Sequence, residues 1–199
     1  MIIALDIDGT IRDFISELRI QYMIDYPDGW CNEVIKTWEL DSYFSIGKDI
    51  YKYAFDYRGY EIMKNAEPYI GAWRFVANLK ENHDIYLTTT QSEWNCVRGT
   101  VIWIDEHQIP NNGLFFTPDK TLLNADILID DYHVNLNKWA ETGRIAICIQ
   151  RPWNRDIKEW HDNVAFASNY EAVLNLVKYY NKHPEELRNE PSNGVGNWT

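Results

Sequence analysis

Hydrophobic and polar positions along this chain fall into short blocks that predict strands and helices in turn. Residues 2–5, Ile-Ile-Ala-Leu, are an apolar run closed by Asp6, Asp8 and Gly9, the pattern of a buried strand ended by a turn. From Asp13 to Tyr26 the positions Phe14, Ile15, Leu18, Tyr22 and Met23 fall at helical spacing, and Pro27-Asp28-Gly29 stops that helix. Further helices are expected over about 32–40 and 47–57, and another follows Pro68-Tyr69-Ile70-Gly71, carrying Trp73, Phe75, Val76 and Leu79. Strands are expected at 84–88, 114–116, 125–129, 144–149 and, at the edge, 164–167. Between them lie helices over 96–107 and 136–142, with a last one over about 170–181.

Strands that alternate with helices predict a parallel sheet covered on both faces. Residues 15–66 break the rhythm, being helical and aromatic with no strand. They read as a cap inserted after the first strand. Residues 1–14 and 67–182 then form the α/β core, and the polar stretch 183–199 a loose tail.

The strand ends carry the chemistry. Side chains two apart on a strand share a side, so Asp6 and Asp8 can converge just past the carboxyl edge of the sheet, where open α/β sheets bind ligands. Two carboxylates that close repel unless a cation or a shared proton relieves them. A calcium loop does not fit, because an EF-hand needs glycine at its sixth position and here Gly9 is fourth counting from Asp6. Three later positions repeat the placement. Thr88, Thr89 and Thr90 close the second strand, where a hydroxyl can meet a phosphate oxygen, although threonine also simply favours strands. Lys120 sits in a loop before a strand, a place where lysine is usually surface. Asp130 and Asp131 directly follow the apolar run 127–129. Acid pair, hydroxyl, lysine and acid pair, in that order and each at a strand end, make coincidence an unlikely source.

Composition narrows the partners. A chain of 199 residues, 45% hydrophobic and 25% charged, can hold a folded core plus an insertion. Its net charge of −11 argues against long nucleic acid, which needs a basic face, but not against a small anion bound beside a metal. Cys31, Cys96 and Cys148 have no metal-type spacing and suit a reducing cytoplasm. No signal peptide or membrane span is expected. Nine tryptophans and thirteen tyrosines point to aromatic packing, and an exterior rich in them is compatible with a homodimer.

The order DIDGT, IYLTT, Lys120 and ILIDD resembles the haloacid-dehalogenase superfamily of phosphotransferases, and within it the 5'(3')-deoxyribonucleotidase family. TPDKTLLNADILIDD at 117–131, DIDGTIRDF at 6–14 and PYIGA at 68–72 carry the resemblance, which runs over about residues 1–160. It implies a Rossmann-like three-layer core with a small helical cap. It also implies a phosphomonoesterase that passes through an aspartyl-phosphate. On that basis Asp6 is the nucleophile and Asp8 the general acid and base. The Asp8 carbonyl, with the Asp6 and Asp131 carboxylates, would hold Mg²⁺, Asp130 being an auxiliary ligand. Thr89 would bind phosphate, with Thr88 the register alternative and Thr90 beside it, and Lys120 would neutralise nucleophile and phosphoryl oxygens. Phe14 matches an aromatic set against the base, and Trp38, Tyr43, Phe44, Phe55 and Tyr57 are cap candidates for the rest of that pocket. Where the family often has a basic residue after the hydroxyls, this chain has Gln91-Ser92-Glu93, and Arg98 is the candidate to replace it. The expected substrate is a deoxyribonucleoside monophosphate. Alternatives are another small phosphate ester, a nucleic-acid 3'-phosphate, or a silent nucleotide-binding module.

Overall fold

The first strand, β1 (Ile2–Asp6), is buried along nearly its whole length, as an apolar run in the middle of a parallel sheet must be. The computed structural model describes residues 1–187. Five more strands join β1: β2 (Asp84–Thr89), β3 (Gly113–Phe116), β4 (Ile127–Asp130), β5 (Ile145–Ile149) and β6 (Val164–Ala167). All neighbours are parallel, in the order β3-β2-β1-β4-β5-β6. The chain moves outward from β1 to β3, then returns to the other side of β1 with β4. The gap between β1 and β4 is therefore the switch point at which doubly wound sheets bind ligands.

Helices cover both faces. On one, Ile3, Leu5, Ile127 and Ile129 pack under α4 (Ala72–Lys80), α5 (Trp94–Glu106) and α7 (Tyr170–Lys182), through Phe75, Val76, Trp103, Val173 and Val177. On the other, Ala4, Leu128, Ala146 and Cys148 meet Leu136, Trp139 and Ala140 of α6 (His133–Ala140). Alternate residues of each strand thus serve opposite layers, as the two-residue period requires.

Residues 14–63 supply most of a separate apolar cluster beyond the carboxyl edge of the sheet. Its first helix, α1 (Phe14–Asp25), starts because the Asp13 carboxylate accepts the Ser16 backbone N–H at 3.1 Å, and it buries Phe14, Leu18 and Tyr22, four residues apart. The chain enters and leaves this region side by side: Asp13 N–H donates to the Glu67 carbonyl at 2.9 Å and Tyr69 N–H to the Ile11 carbonyl at 3.0 Å.

Here the structure departs from the periodicity. No helix forms over 32–40. That stretch is an irregular loop whose ends are tied as in a β-bridge, Asn32 N–H to the Tyr43 carbonyl at 2.9 Å and Ser45 N–H to the Trp30 carbonyl at 3.0 Å. Its apolar residues split, Ile35 inward and Val34 to solvent, so no helical face is buried. The helix expected over 47–57 is α2 (Asp49–Lys52) followed by a π-helical turn, Tyr53–Tyr57. A further short helix, α3 (Gly59–Asn65), was not visible in the pattern because it is only two turns long. The strand β2 runs one residue past its expected end and so includes Thr89. Of the tail, Pro184–Glu186 form a 3-10 turn, and 188–199 lie outside the described residues.

Candidate active site

The carboxyl ends of β1, β2 and β4 meet around one cluster of charge. Asp6 ends β1, Asp130 ends β4, and Lys120, from the 3-10 turn Lys120–Leu122, reaches between them. The Lys120 ammonium donates to Asp6 Oδ1 and, at 2.7 Å, to Asp130 Oδ2, and all three side chains are buried. Asp130 also accepts from the Tyr132 backbone N–H at 2.8 Å and from Asn135 Nδ2 at 3.0 Å. In this geometry it holds the Lys120 ammonium against Asp6. Asp131 differs. Trp153 Nε1–H donates to Oδ2 at 2.5 Å, while Oδ1 is buried with no partner. A buried acceptor of that kind is costly unless something else completes it.

Oxygens of Asp6, Asp130 and Asp131 lie within 4.8 Å of one another. Buried carboxylates, with one oxygen left open, suit a hard divalent cation. Gly9 makes the approach possible. Its φ is +79°, and a Cβ there would fall on the Asp131 carboxylate. The turn around it is fixed from outside by Arg151, which donates to the Gly9 carbonyl at 2.6 Å and the Thr10 carbonyl at 2.9 Å.

Asp8 stands apart from this cluster, its side chain about one-fifth exposed on the cavity wall. Arg12 Nε donates to Oδ1 at 2.8 Å, and Gln91 Nε2 to Oδ2 at 2.5 Å. The cavity is about 450 Å³. Asp6, Asp8, Asp131 and Thr89 line its floor, and Phe14, Trp38, Tyr51, Phe55 and Tyr132 its apolar side. Phe14 and Phe55 are stacked at 5.6 Å with 9° between their planes. Phe55 comes from the π-helical turn, a distortion that is frequent at functional sites.

A family model described as 5' nucleotidase, deoxy (pyrimidine), cytosolic type C matches residues 1–179. The chain belongs to this nucleotidase family. A 5'(3')-deoxyribonucleotidase from Bacillus subtilis is 24% identical over 159 residues, covering 78% of this chain and 88% of the relative. A protein of the same description from Bacillus phage SPbeta aligns with the same figures. Among solved structures, a haloacid-dehalogenase-like hydrolase from Streptococcus pneumoniae superposes with a TM-score of 0.59 at 15% identity, over 88% of this chain and 97% of that one. A hydrolase of the same kind from Bacillus subtilis, bound to magnesium, gives 0.54 at 12% identity, over 88% and 97%. The expected Rossmann-like core fold is therefore present, and the nucleotidase is a phosphomonoester hydrolase.

The charges of the nucleotidase site are held in tension. Burial raises the Asp6 carboxyl to about 8, Asp130 adds to the rise, and Lys120 opposes it. Asp131 is also pushed well up, first by burial and then by Asp6 and Asp130, against the pull of Trp153 and Arg151. Burial would lower Lys120, but Asp130 and Asp6 outweigh it and hold the ammonium above the ordinary lysine value.

Not every predicted residue reaches the cavity. Thr89 and Thr90 line it. Thr88 does not: paired with Asp6 across the β1–β2 ladder, it is fully buried on the alternate face, its hydroxyl without a partner. Phe44 is packed edge-on against Tyr22, 5.0 Å between centroids, in the interior of the capping region. Arg98 lies on the outer side of α5 with its guanidinium 5.1 Å from the Tyr60 ring centre, so it does not stand in for the missing basic residue. Tyr43 and Tyr57 do not line the cavity, whereas Trp38 does. Sequence reasoning missed Arg12, Gln91, Thr100, Tyr132, Asn135, Arg151 and Trp153. A signal existed for Arg12, a basic residue inside the quoted DIDGTIRDF motif, and for Gln91, which stands where the family often has a basic residue.

Proposed function

We propose that this nucleotidase removes phosphate from deoxyribonucleoside monophosphates with Mg²⁺ and through an aspartyl-phosphate on Asp6. The observation that carries this reading is the buried Asp6–Lys120–Asp130 cluster beside Asp131, at the floor of a cavity walled by aromatic rings. The cavity volume is in the range of small-molecule sites, about 300–1,000 Å³.

In this mechanism an Asp6 carboxylate oxygen attacks phosphorus as the bond to the ester oxygen breaks, and Asp8 gives its proton to that oxygen. Asp8 then takes a proton from water, whose oxygen attacks phosphorus, frees Asp6 and releases inorganic phosphate. Lys120 holds the Asp6 oxygen in place and offsets charge on the phosphoryl group. The Thr89 hydroxyl and the neighbouring Thr90 bind its oxygens. Positioning and charge compensation carry most of phosphoryl-transfer catalysis. Asp6, Asp131 and the Asp8 carbonyl would hold Mg²⁺, with Asp130 behind them, and the ion would draw negative charge from the phosphoryl oxygens. Phe14, Phe55 and Trp38 are placed to receive the nucleoside. The deoxyribonucleotidases from Bacillus subtilis and phage SPbeta support that choice of substrate.

The test is phosphate release from dUMP, dTMP, dGMP, UMP, 3'-dTMP, a sugar phosphate and a 3'-phosphorylated oligonucleotide, with Mg²⁺ and with excess EDTA. Deoxyribonucleotides should be hydrolysed fastest, and EDTA should stop the reaction. The Asp6→Asn variant should be inactive yet melt cooperatively, and near wild-type turnover by it would rule out the aspartyl-phosphate. Release from the sugar phosphate or the oligonucleotide alone would keep the chemistry and discard the substrate.

A further inference from the structure

Arg12 is the largest charged side chain fully buried among the described residues, and it lies outside the Asp6–Lys120 cluster. Burying a guanidinium is expensive unless each donor is met. Here they are. Nε bonds Asp8 Oδ1 at 2.8 Å, Nη1 the Met63 carbonyl of α3 at 2.9 Å, and Nη2 the Thr100 hydroxyl of α5 at 3.0 Å. The group also lies 5.0 Å from the Trp103 ring centre. The Thr100 hydroxyl in turn donates to Gln91 Oε1 at 2.7 Å, and Gln91 Nε2 returns to Asp8 Oδ2 at 2.5 Å. Asp8, Arg12, Thr100 and Gln91 therefore close a ring that grips both oxygens of one carboxyl.

We propose that Arg12, directly, and Thr100, through Gln91, are positioning residues that fix the Asp8 carboxyl toward the cavity for proton transfer to the leaving oxygen. This inference rests on the assignment of Asp8 as general acid made above. Proton transfer is sensitive to placement at the scale of an ångström, and a carboxyl on a loop has two torsions to lose. The ring removes that freedom from three directions: the loop after β1, the loop after β2, and the α3–α5 contact. Gly99, next to Thr100, keeps that contact close, since a Cβ there would lie 2.7 Å from the Tyr60 carbonyl and 2.8 Å from Met63 Cβ. A side-chain amide at Gln91 suits the task better than a basic residue. Its Oε1 accepts from Thr100 while its Nε2 donates to Asp8, and a lysine or arginine has no acceptor for the first of these bonds.

The test compares thymidine 5'-monophosphate with its 5'-bridging phosphorothiolate, in which the leaving atom is sulfur. Both carry the same base and sugar, but a thiolate leaves without a proton. The readout is kcat/KM, which covers every step up to departure of the nucleoside, for Arg12→Met, Thr100→Val, Thr100→Ser and Asp8→Asn at fixed Mg²⁺. Arg12→Met and Thr100→Val should lose about 10- to 100-fold on the oxygen ester and less than about 3-fold on the sulfur ester, with Thr100→Ser near wild type. Equal losses on both esters, with Asp8→Asn still selective for the oxygen ester, would show that the ring only supports the fold and overturn the inference. Equal losses for Asp8→Asn as well would overturn the general-acid assignment, and the inference with it. Should Arg12→Met fail to fold, Thr100→Val decides, because valine keeps the shape of threonine in the α3–α5 contact.

Discussion

Asp131, proposed above as a Mg²⁺ ligand, shows how one neighbour can orient a single side chain. One oxygen takes the Trp153 indole N–H at 2.5 Å and the other is left bare in a buried site. The indole fixes the rotation of the carboxyl, so the bare oxygen can point in one direction only. Partners that orient a metal ligand are typically worth 10- to 100-fold in affinity. Trp153→Phe should therefore raise the Mg²⁺ concentration for half-maximal activity by about 10-fold or more while kcat at saturating Mg²⁺ changes less. An unchanged Mg²⁺ requirement would mean that Trp153 serves only the packing of the capping region, in whose cluster it also takes part.

At the scale of elements, the α3–α5 contact is the most extensive between helices among the described residues. Gly99 lets the helices approach, and Cys96 on the same helix donates through Sγ to the Phe55 carbonyl at 3.1 Å. Adding a methyl at Gly99 must push α3 away, since the groups it meets are backbone and a Cβ. Gly99→Ala is expected to cost about 1–3 kcal/mol, measured by urea unfolding, and to lower activity together with stability. The elements themselves were legible where the pattern was long. The six strands and the helices at 14–25, 72–80, 94–106 and 170–182 stand close to their expected places. The loop at 32–40 was not, because four apolar residues in a polar stretch fit a helix and an irregular wrap equally well. There Ile35, Trp38 and Leu40 take their directions from the cluster they join, and the Leu40 N–H is tied to the Tyr51 hydroxyl at 3.0 Å.

For the molecule as a whole, a cation should act as part of the fold. A ligand that binds only the native state at 100 times its dissociation constant adds about 2.7 kcal/mol. The melting temperature should rise with Mg²⁺, and EDTA should reverse the rise. The increment should also depend on pH. In the metal-free protein, burial raises Asp6 to about 8, so between the ordinary aspartate value and that point the folded state keeps a proton the unfolded chain has released. Stability from this group is then lost as pH rises, and a bound cation, which needs the carboxylate, restores it. The Mg²⁺-induced rise in melting temperature should accordingly be larger at pH 8 than at pH 5, by calorimetry. A rise of equal size at both would indicate that the ion binds away from the buried carboxylates.

The sequence by itself determined the sheet and the residues at the strand ends. Asp6, the three threonines 88–90, Asp130 and Asp131 were legible because a strand end is a local event: an apolar run stops, and the next side chain must sit at the edge of the sheet. Lys120, in a turn between strands, stood out only by its order among them. Which of the three threonines faces the cavity depended on where β2 ends, a matter of one residue. Tertiary structure alone decided the rest. Arg12 meets Thr100 across 88 positions, Gln91 meets Asp8 across 83, and Trp153 meets Asp131 across 22. No local pattern encodes such pairs. Nor does pattern separate Phe14, on the cavity wall, from Phe44, inside the cluster behind it. Both are apolar side chains that leave water, and only the path of the surrounding chain determines which of them a ligand can touch.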